Sequence, residues 1–342
     1  MKIIVDYSHL CNRLLHISIM QAKPKKVQGK ILTKDYENFF LHLLFNNLRS
    51  VKNSFGDDIY LAIDSTSWRK EIYSDYKGHR SKGREESEIN YKEFYELINY
   101  SLDALKNFDF KIIKVPRAEA DDIIGTFCQF EKDNITVISS DKDFEQLLRY
   151  KNISLYDPIQ KKYKINSVKE AKYKLFTKVL VGDSGDNIPS IKEHTEFSLD
   201  FLKFLKQKDI HTKAPENFLK LKISESLIEE FKESGLIIYK KGMFADAGAK
   251  KFMLNLGKSL SQNPLYKAHF KRNFNLIDLR RTPKDIQENI LNELESAEVN
   301  IDSKFILDFF QKHNLRDQLA HADDFIGGSF EVKKVQFDLE DW

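Results

Sequence analysis

Residues 111–143, KIIKVPRAEADDIIGTFCQFEKDNITVISSDKD, place one amphipathic stretch between two short apolar runs. Residues 111–115 and 135–138 are rich in Ile and Val with little polar alternation, which is the pattern of strands covered on both faces. Residues 121–130 carry apolar side chains at three- and four-residue spacing, the pattern of a helix. Together they predict a parallel strand-helix-strand unit. Each run is followed by carboxylates: Glu119, Asp121 and Asp122 after a Pro-containing turn, then Asp141 and Asp143.

The same arrangement occurs twice upstream. Residues 2–5 run straight into Asp6, and residues 59–63 into Asp64, with helical spacing over 36–48 and 91–108. The predicted class is α/β, a central, mainly parallel sheet flanked by helices. Ligands of such sheets bind outside the carboxyl ends of the strands, so four acidic ends are expected on one side. Beyond about residue 190 the pattern changes to helices with Lys-rich faces, such as 196–208 and 224–232, broken at Pro215, Gly235, Pro264 and Pro283. The expected division is a catalytic domain at 1–188, a smaller helical domain at 189–328 and a tail at 329–342.

Composition narrows the class. Of 342 residues, 41% are hydrophobic and 31% charged, which excludes a disordered chain. The net charge is +3, from 55 Lys and Arg against 52 Asp and Glu, so any nucleic-acid affinity must come from local segregation of charge. Two cysteines, Cys11 and Cys128, are too few for a disulfide scaffold, and no Cys/His spacing suggests zinc. A reducing, cytoplasmic setting is expected. The N-terminus is apolar only over residues 3–5, and 39–45 is far too short to span a bilayer, so neither a secretory leader nor a membrane span is expected.

Nine acidic residues stand out: Asp6, Asp64, Glu119, Asp121, Asp122, Asp141, Asp143, Asp183 and Asp186. Singly they have plain readings. Asp121 and Asp122 suit a helix N-terminus, Ser140 with Asp143 resembles a cap, and Asp183 and Asp186 suit a turn. In one cleft their repulsion would require shifted pKa values or bound cations. Oxygen donors without His or Cys select magnesium, with manganese as a substitute. Between Asp64 and Glu119 lies a basic segment holding Arg69, Lys70, Lys77, Arg80, Lys82 and Arg84, interleaved with Trp68, Tyr73 and Tyr76. Such a mixture suits single-stranded nucleic acid, with cations on phosphates and rings on bases.

These motifs occur in a family's order. VD at 5–6, ID at 63–64, EADD at 119–122, SSDKD at 139–143 and GDSGDN at 182–187 resemble the flap endonuclease and 5′-3′ exonuclease family, over roughly residues 1–190. YKGHRSKGREE at 76–86 resembles in particular its T-even-phage ribonuclease H branch, which is distinct from the cellular ribonuclease H fold. The resemblance implies a PIN-like 5′ nuclease fold. It implies two magnesium sites, one among Asp6, Asp64, Glu119, Asp121 and Asp141 with Asp122 close by, the other among Asp143, Asp183 and Asp186 with Asp141 at the boundary. Lys77 then matches a catalytic lysine acting with Asp141 and Asp6. Tyr76 matches an aromatic stacking near the scissile nucleotide, and the arch or bridge falls at about 70–95.

The implied substrates are branched or primed DNA and RNA–DNA hybrids. The implied role is removal of RNA primers, adjacent DNA or 5′ flaps from lagging-strand fragments during phage replication in the host cytoplasm, by a monomer. SIKEHT at 190–195 lacks the glycine of the family's duplex-binding helical hairpin, which leaves lysines such as Lys192 to grip duplex. Gln336, Leu339 and Trp342 resemble a sliding-clamp peptide, and a single-strand-binding protein is a further implied partner. Two other readings stay open: a non-catalytic module binding branched nucleic acid on the same fold, and a PIN-type ribonuclease acting on RNA.

Overall fold

The structure is a computed structural model and describes residues 1–190 and 264–326. Lys192, the expected helices at 196–208 and 224–232, and the tail with Gln336, Leu339 and Trp342 lie outside the described residues. In chain order the strands are β1 (Lys2–Asp6), β2 (Lys26–Val27), β3 (Lys30–Ile31), β4 (Ile59–Ala62), β5 (Lys111–Ile113), β6 (Ile135–Ile138), β7 (Ile153–Asp157) and β8 (Lys162–Lys164). The helices are α1 (Tyr7–Ala22), α2 (Glu37–Phe55), α3 (Arg69–Ile72), α4 (His79–Glu86), α5 (Tyr91–Leu105), α6 (Ala120–Phe130) and α7 (Val168–Val181). They continue as α8 (Pro264–Ile277), α9 (Lys284–Ser296), α10 (Ser303–Lys312), α11 (Arg316–Ala320) and α12 (Asp323–Ile326). The expected class holds: the strands are mostly parallel and helices flank them.

The chain divides into two compact units. One comprises Met1–Ile63, Ser87–Ile113 and Glu293–Trp342, the other Asp64–Glu86 and Lys114–Asn292. The chain passes between them after Ile63, Glu86, Ile113 and Asn292. The described helices after Pro264 are divided between the two units because their apolar faces complete cores begun upstream.

In the first unit β1, β4 and β5 run parallel, with Val5 opposite Leu61 and Leu61 opposite Ile112. Helix α1 starts directly after β1 because Asp6 caps it, its carboxylate accepting the His9 backbone N–H at 2.9 Å. Tyr7, Leu10, Cys11, Leu14 and Leu15 form its buried stripe. The core is aromatic. Phe45 of α2 lies within 5.0–6.0 Å, centroid to centroid, of Phe108, Phe309, Phe310 and Phe325. Such offset and edge-on pairs add to the burial of large apolar surfaces.

In the second unit β6 runs parallel to β7, and β8 closes antiparallel on β7. Helix α6 is buried over most of its length, from Ala120 to Cys128. Gly125 permits its close approach to the turn Leu279–Arg281, since a Cβ there would stand 2.8 Å from the Leu279 Cβ. Two buried amides fasten α8 and that turn. Asn273 donates to the carbonyls of Val179 and Pro189 at 3.0 and 2.8 Å, and Gln146 exchanges hydrogen bonds with Ile277 O and Leu279 N.

Cys11 and Cys128 are free and buried, and burial pushes both thiols far above their usual pKa. Among the described residues no helix is long and apolar enough to cross a membrane. Truncating Phe45 to Ala removes the ring shared by four others and should cost about 3–5 kcal/mol of stability. Urea melts of Phe45→Ala against wild type, followed by circular dichroism, check this.

Candidate active site

The acidic turn of α6 forms where the chain leaves Glu119, in extended backbone, and enters the helix at Ala120. Asp64 accepts the Ala120 N–H at 2.8 Å, which satisfies one exposed donor of that first turn. Asp122 faces inward and is wholly buried. One of its oxygens accepts from Trp68 Nε1 at 3.1 Å and Thr282 Oγ1 at 2.8 Å. The other accepts from an Arg69 Nη1–H and the Glu119 backbone N–H, both at 2.9 Å. Four donors saturate this carboxylate and fasten it at the start of α6.

Arg69 and Tyr76 are each 1% exposed and turn their polar atoms to the same carboxylates. Arg69 reaches Glu119 and Asp122 at 2.9 Å each and donates through Nε to Leu276 O at 2.8 Å. Burial works against its charge, but Asp122, Tyr76 and Glu119 outweigh it and hold the guanidinium well above its usual pKa. The Tyr76 hydroxyl bridges Glu119 at 3.0 Å and Asp186 at 3.1 Å. Two buried carboxylates need a counter-charge more than solvent needs a surface arginine; sequence spacing cannot reveal that preference.

Glu119 collects the remaining bonds, from Ser67 Oγ at 2.7 Å and Lys77 Nζ at 2.5 Å. Burial opposes its ionisation, yet Lys77 and Arg69 overcome this and hold its carboxyl at about 2. Lys77 sits at φ 54, with its backbone N–H on Asp186 O at 2.9 Å. Its ammonium is desolvated, but Glu119, Asp121 and Asp186 keep it charged, above the usual lysine pKa. Arg80 extends the chain of charges to Asp186 at 2.5 Å. Lys70 is exposed, and Lys82 and Arg84 lie on α4, which buries no residue, so these three remain outward-facing cations.

A second set surrounds Lys178, a residue the sequence reading passed over. Asp141 caps the turn Lys142–Arg149 by accepting the Asp143 N–H at 2.8 Å. Asp143 and Asp183 both pair with the Lys178 ammonium, Asp183 at 2.7 Å. Gly182, at φ 79, turns the chain back after α7; a Cβ there would lie 2.3 Å from Ile188 O. Burial, together with Asp141 and Asp183 nearby, pushes the Asp143 carboxyl above its usual value despite Lys178. Asp183 moves the other way, because Lys178 overcomes its burial.

Asp121, Asp143, Asp183 and Asp186 line one cleft with Arg69, Tyr76 and Lys178. The structure thus brings together acidic residues from three separated motifs. Asp6 belongs to the other unit, where it is buried and caps α1. Among the described residues no three His, Cys, Asp or Glu side chains form a ready cage for one ion. Lysine and arginine side chains stand between the carboxylates instead. The donor set nevertheless fits a hard divalent cation, which takes oxygen ligands and keeps several waters.

Two outcomes follow from this burial. Arg69→Met leaves Glu119 and Asp122 without their shared cation and should cost about 3–5 kcal/mol, whereas Lys82→Ala on the exposed helix should cost under about 0.5 kcal/mol; paired urea melts would show the contrast. Glu119 has a depressed folded pKa, about 2 against an ordinary 4.5, so its contribution to stability is complete above 4.5 and is lost as pH falls towards 2. Melting temperature should fall more steeply across that window in the wild type than in Glu119→Gln.

Residues 1–175 match the sequence profile of the 5′-3′ exonuclease, N-terminal resolvase-like domain. Ribonuclease H of Enterobacteria phage T4 is 32% identical over 167 residues, which is 46% of this chain and 55% of that protein. Flap endonuclease Xni of Shewanella denitrificans is 34% identical over 140 residues, 37% of this chain and 51% of that protein. The chain therefore spans about half the length of these curated relatives. The T5 D15 protein, co-crystallized with metal ions, superposes over 86% of this chain and 99% of its own with a TM-score of 0.54 at 18% identity, a shared fold. By the match over its first 175 residues, this chain belongs to the 5′-3′ exonuclease family with an N-terminal resolvase-like domain.

Proposed function

We propose that the protein is a magnesium-dependent 5′-3′ exonuclease and flap endonuclease that hydrolyses phosphodiester bonds near the 5′ end of branched or primed nucleic acid. The observation that carries this reading is the cleft in which Asp121, Asp143, Asp183 and Asp186 face one another beside buried cations. Asp143 and Asp183, with Asp121 and Asp186 on the same walls and Asp141 beside Asp143, are the residues that would hold two magnesium ions. When bound, such ions lower the pKa of a coordinated water and offset charge on the phosphate and the leaving oxygen.

The chain's own groups supply the rest. Lys77 keeps its proton and, held by Glu119, places a fixed positive charge within the influence of Asp121 and Asp186. There it would stabilise negative charge developing on the phosphate. The Tyr76 hydroxyl holds Glu119 and Asp186 at fixed separation. Lys70, Lys82 and Arg84 would track phosphates of the 5′ strand, so binding should weaken as salt rises. Primer or flap removal in phage replication is supported by the likeness to the phage T4 ribonuclease H and to the flap endonuclease. A clamp contact through Gln336, Leu339 and Trp342 rests on sequence alone.

One assay separates the readings. A labelled 5′ flap, a nicked duplex, an RNA-primed duplex and a hairpin RNA are each incubated with magnesium or EDTA. The proposal expects magnesium-dependent cutting of the first three. Binding without cutting would favour the non-catalytic module, and cutting of the hairpin alone the ribonuclease. In single turnover, Lys77→Ala should lower the rate on the order of 100-fold, with a much smaller loss of affinity; Asp141→Asn should lose turnover and keep binding.

A further inference from the structure

The Lys178 ammonium lies at the point where two acidic side chains from different elements converge. Asp143 follows β6 in the turn Lys142–Arg149, and Asp183 follows α7. Each directs a carboxylate oxygen at the Lys178 nitrogen, Asp183 Oδ2 at 2.7 Å. The other Asp183 oxygen is committed to the Gly185 backbone N–H at 2.8 Å. Both carboxylates are thus oriented towards a single cation. Their backbones are fixed by different means: Asp141 caps the turn that carries Asp143, and Gly182 at φ 79 folds Asp183 back against Ile188. Lys178 is the adaptable partner, since its four-carbon stem lets the ammonium move while the two carboxylates stay. Its side chain is 27% exposed, which leaves a path to solvent.

The geometry points to Lys178 as a resident counter-ion that a divalent metal must displace from Asp143 and Asp183. This inference rests on the metal-dependent reading above and adds to it the identity of the competing group. Two charges of the same sign cannot share the point where the two oxygens meet. Two carboxylate oxygens completed by waters are an ordinary magnesium environment. With the metal absent, Lys178 prevents the two acids from repelling each other and holds them in register. With the metal bound, the ammonium swings towards solvent and the same two oxygens face the ion. The protein therefore gains stability without metal at the expense of metal affinity.

The test uses the full chain and manganese or magnesium alone, without nucleic acid. Manganese affinity is read by titration calorimetry or electron spin resonance, and melting temperature is taken in EDTA and in magnesium. Lys178→Met should melt lower than wild type in EDTA, gain more from magnesium, and bind manganese on the order of tenfold more tightly; Lys178→Arg should keep the weaker, wild-type affinity. Equal or weaker manganese binding by folded Lys178→Met would overturn the proposal. So would an equal loss of melting temperature with and without metal, which is what a purely structural lysine would give. If Lys178→Met does not fold, the wild type decides: the Lys178 side-chain methylene resonance should shift and sharpen as magnesium is added, and an unmoved signal at saturating magnesium refutes displacement. Absence of metal binding in every variant would instead remove the metal-dependent reading itself.

Discussion

The second unit is organised around the burial of two carboxylates, Glu119 and Asp122, at the entrance to α6. Neither can be buried without a compensating cation, and Arg69 supplies it to both at 2.9 Å. Much follows from that requirement. Arg69 draws the base of the basic segment inward, Trp68 goes with it to reach Asp122, and Tyr76 closes over the pair. Arg69 also binds Leu276 O, so α8 is tied to the same point. A segment that reads as a surface loop thus has a root inside the protein, and beyond it α4, highly charged, buries no residue.

Beyond that root, charge is balanced locally rather than globally. Lys77 answers Glu119, Arg80 answers Asp186, and Lys178 answers Asp143 and Asp183. Around the cleft, acids and bases therefore alternate within bonding distance. Such a cleft tolerates many carboxylates in a small volume, and it leaves an incoming anion bases that are already positioned and charged.

Much of this architecture was legible in the sequence. The four buried runs at 2–5, 59–63, 111–115 and 135–138 are strands, because continuous Ile and Val content follows directly from two-sided burial. The carboxylates at their ends were visible for the same reason: an acid after such a run is conspicuous. Helix α1 keeps helical spacing at Tyr7, Leu10, Cys11, Leu14 and Leu15, but its start is marked by an aspartate that suits a ligand as well as a cap. In β7 the burial of Ile153 and Leu155 alternates with exposed Ser154, a period of two in only a few residues; β8, with sequence KYK, has no apolar signal and owes its strand state to pairing with β7. Arg69, Tyr76 and Lys178 could not be placed by spacing. Their positions depend on which acids lie opposite in the folded chain, and that is long-range information.

The two cysteines bear on how the molecule can be studied. Cys11 and Cys128 are the whole thiol content of the chain, and both are buried, unpaired and held protonated. Attack by a thiol requires its anion and access to solvent, so neither should react with maleimide or nitroxide reagents while the fold is intact. A single cysteine introduced on α4 would then take a fluorophore or spin label alone, in an otherwise native background, and report directly on how that charged span responds to ligands.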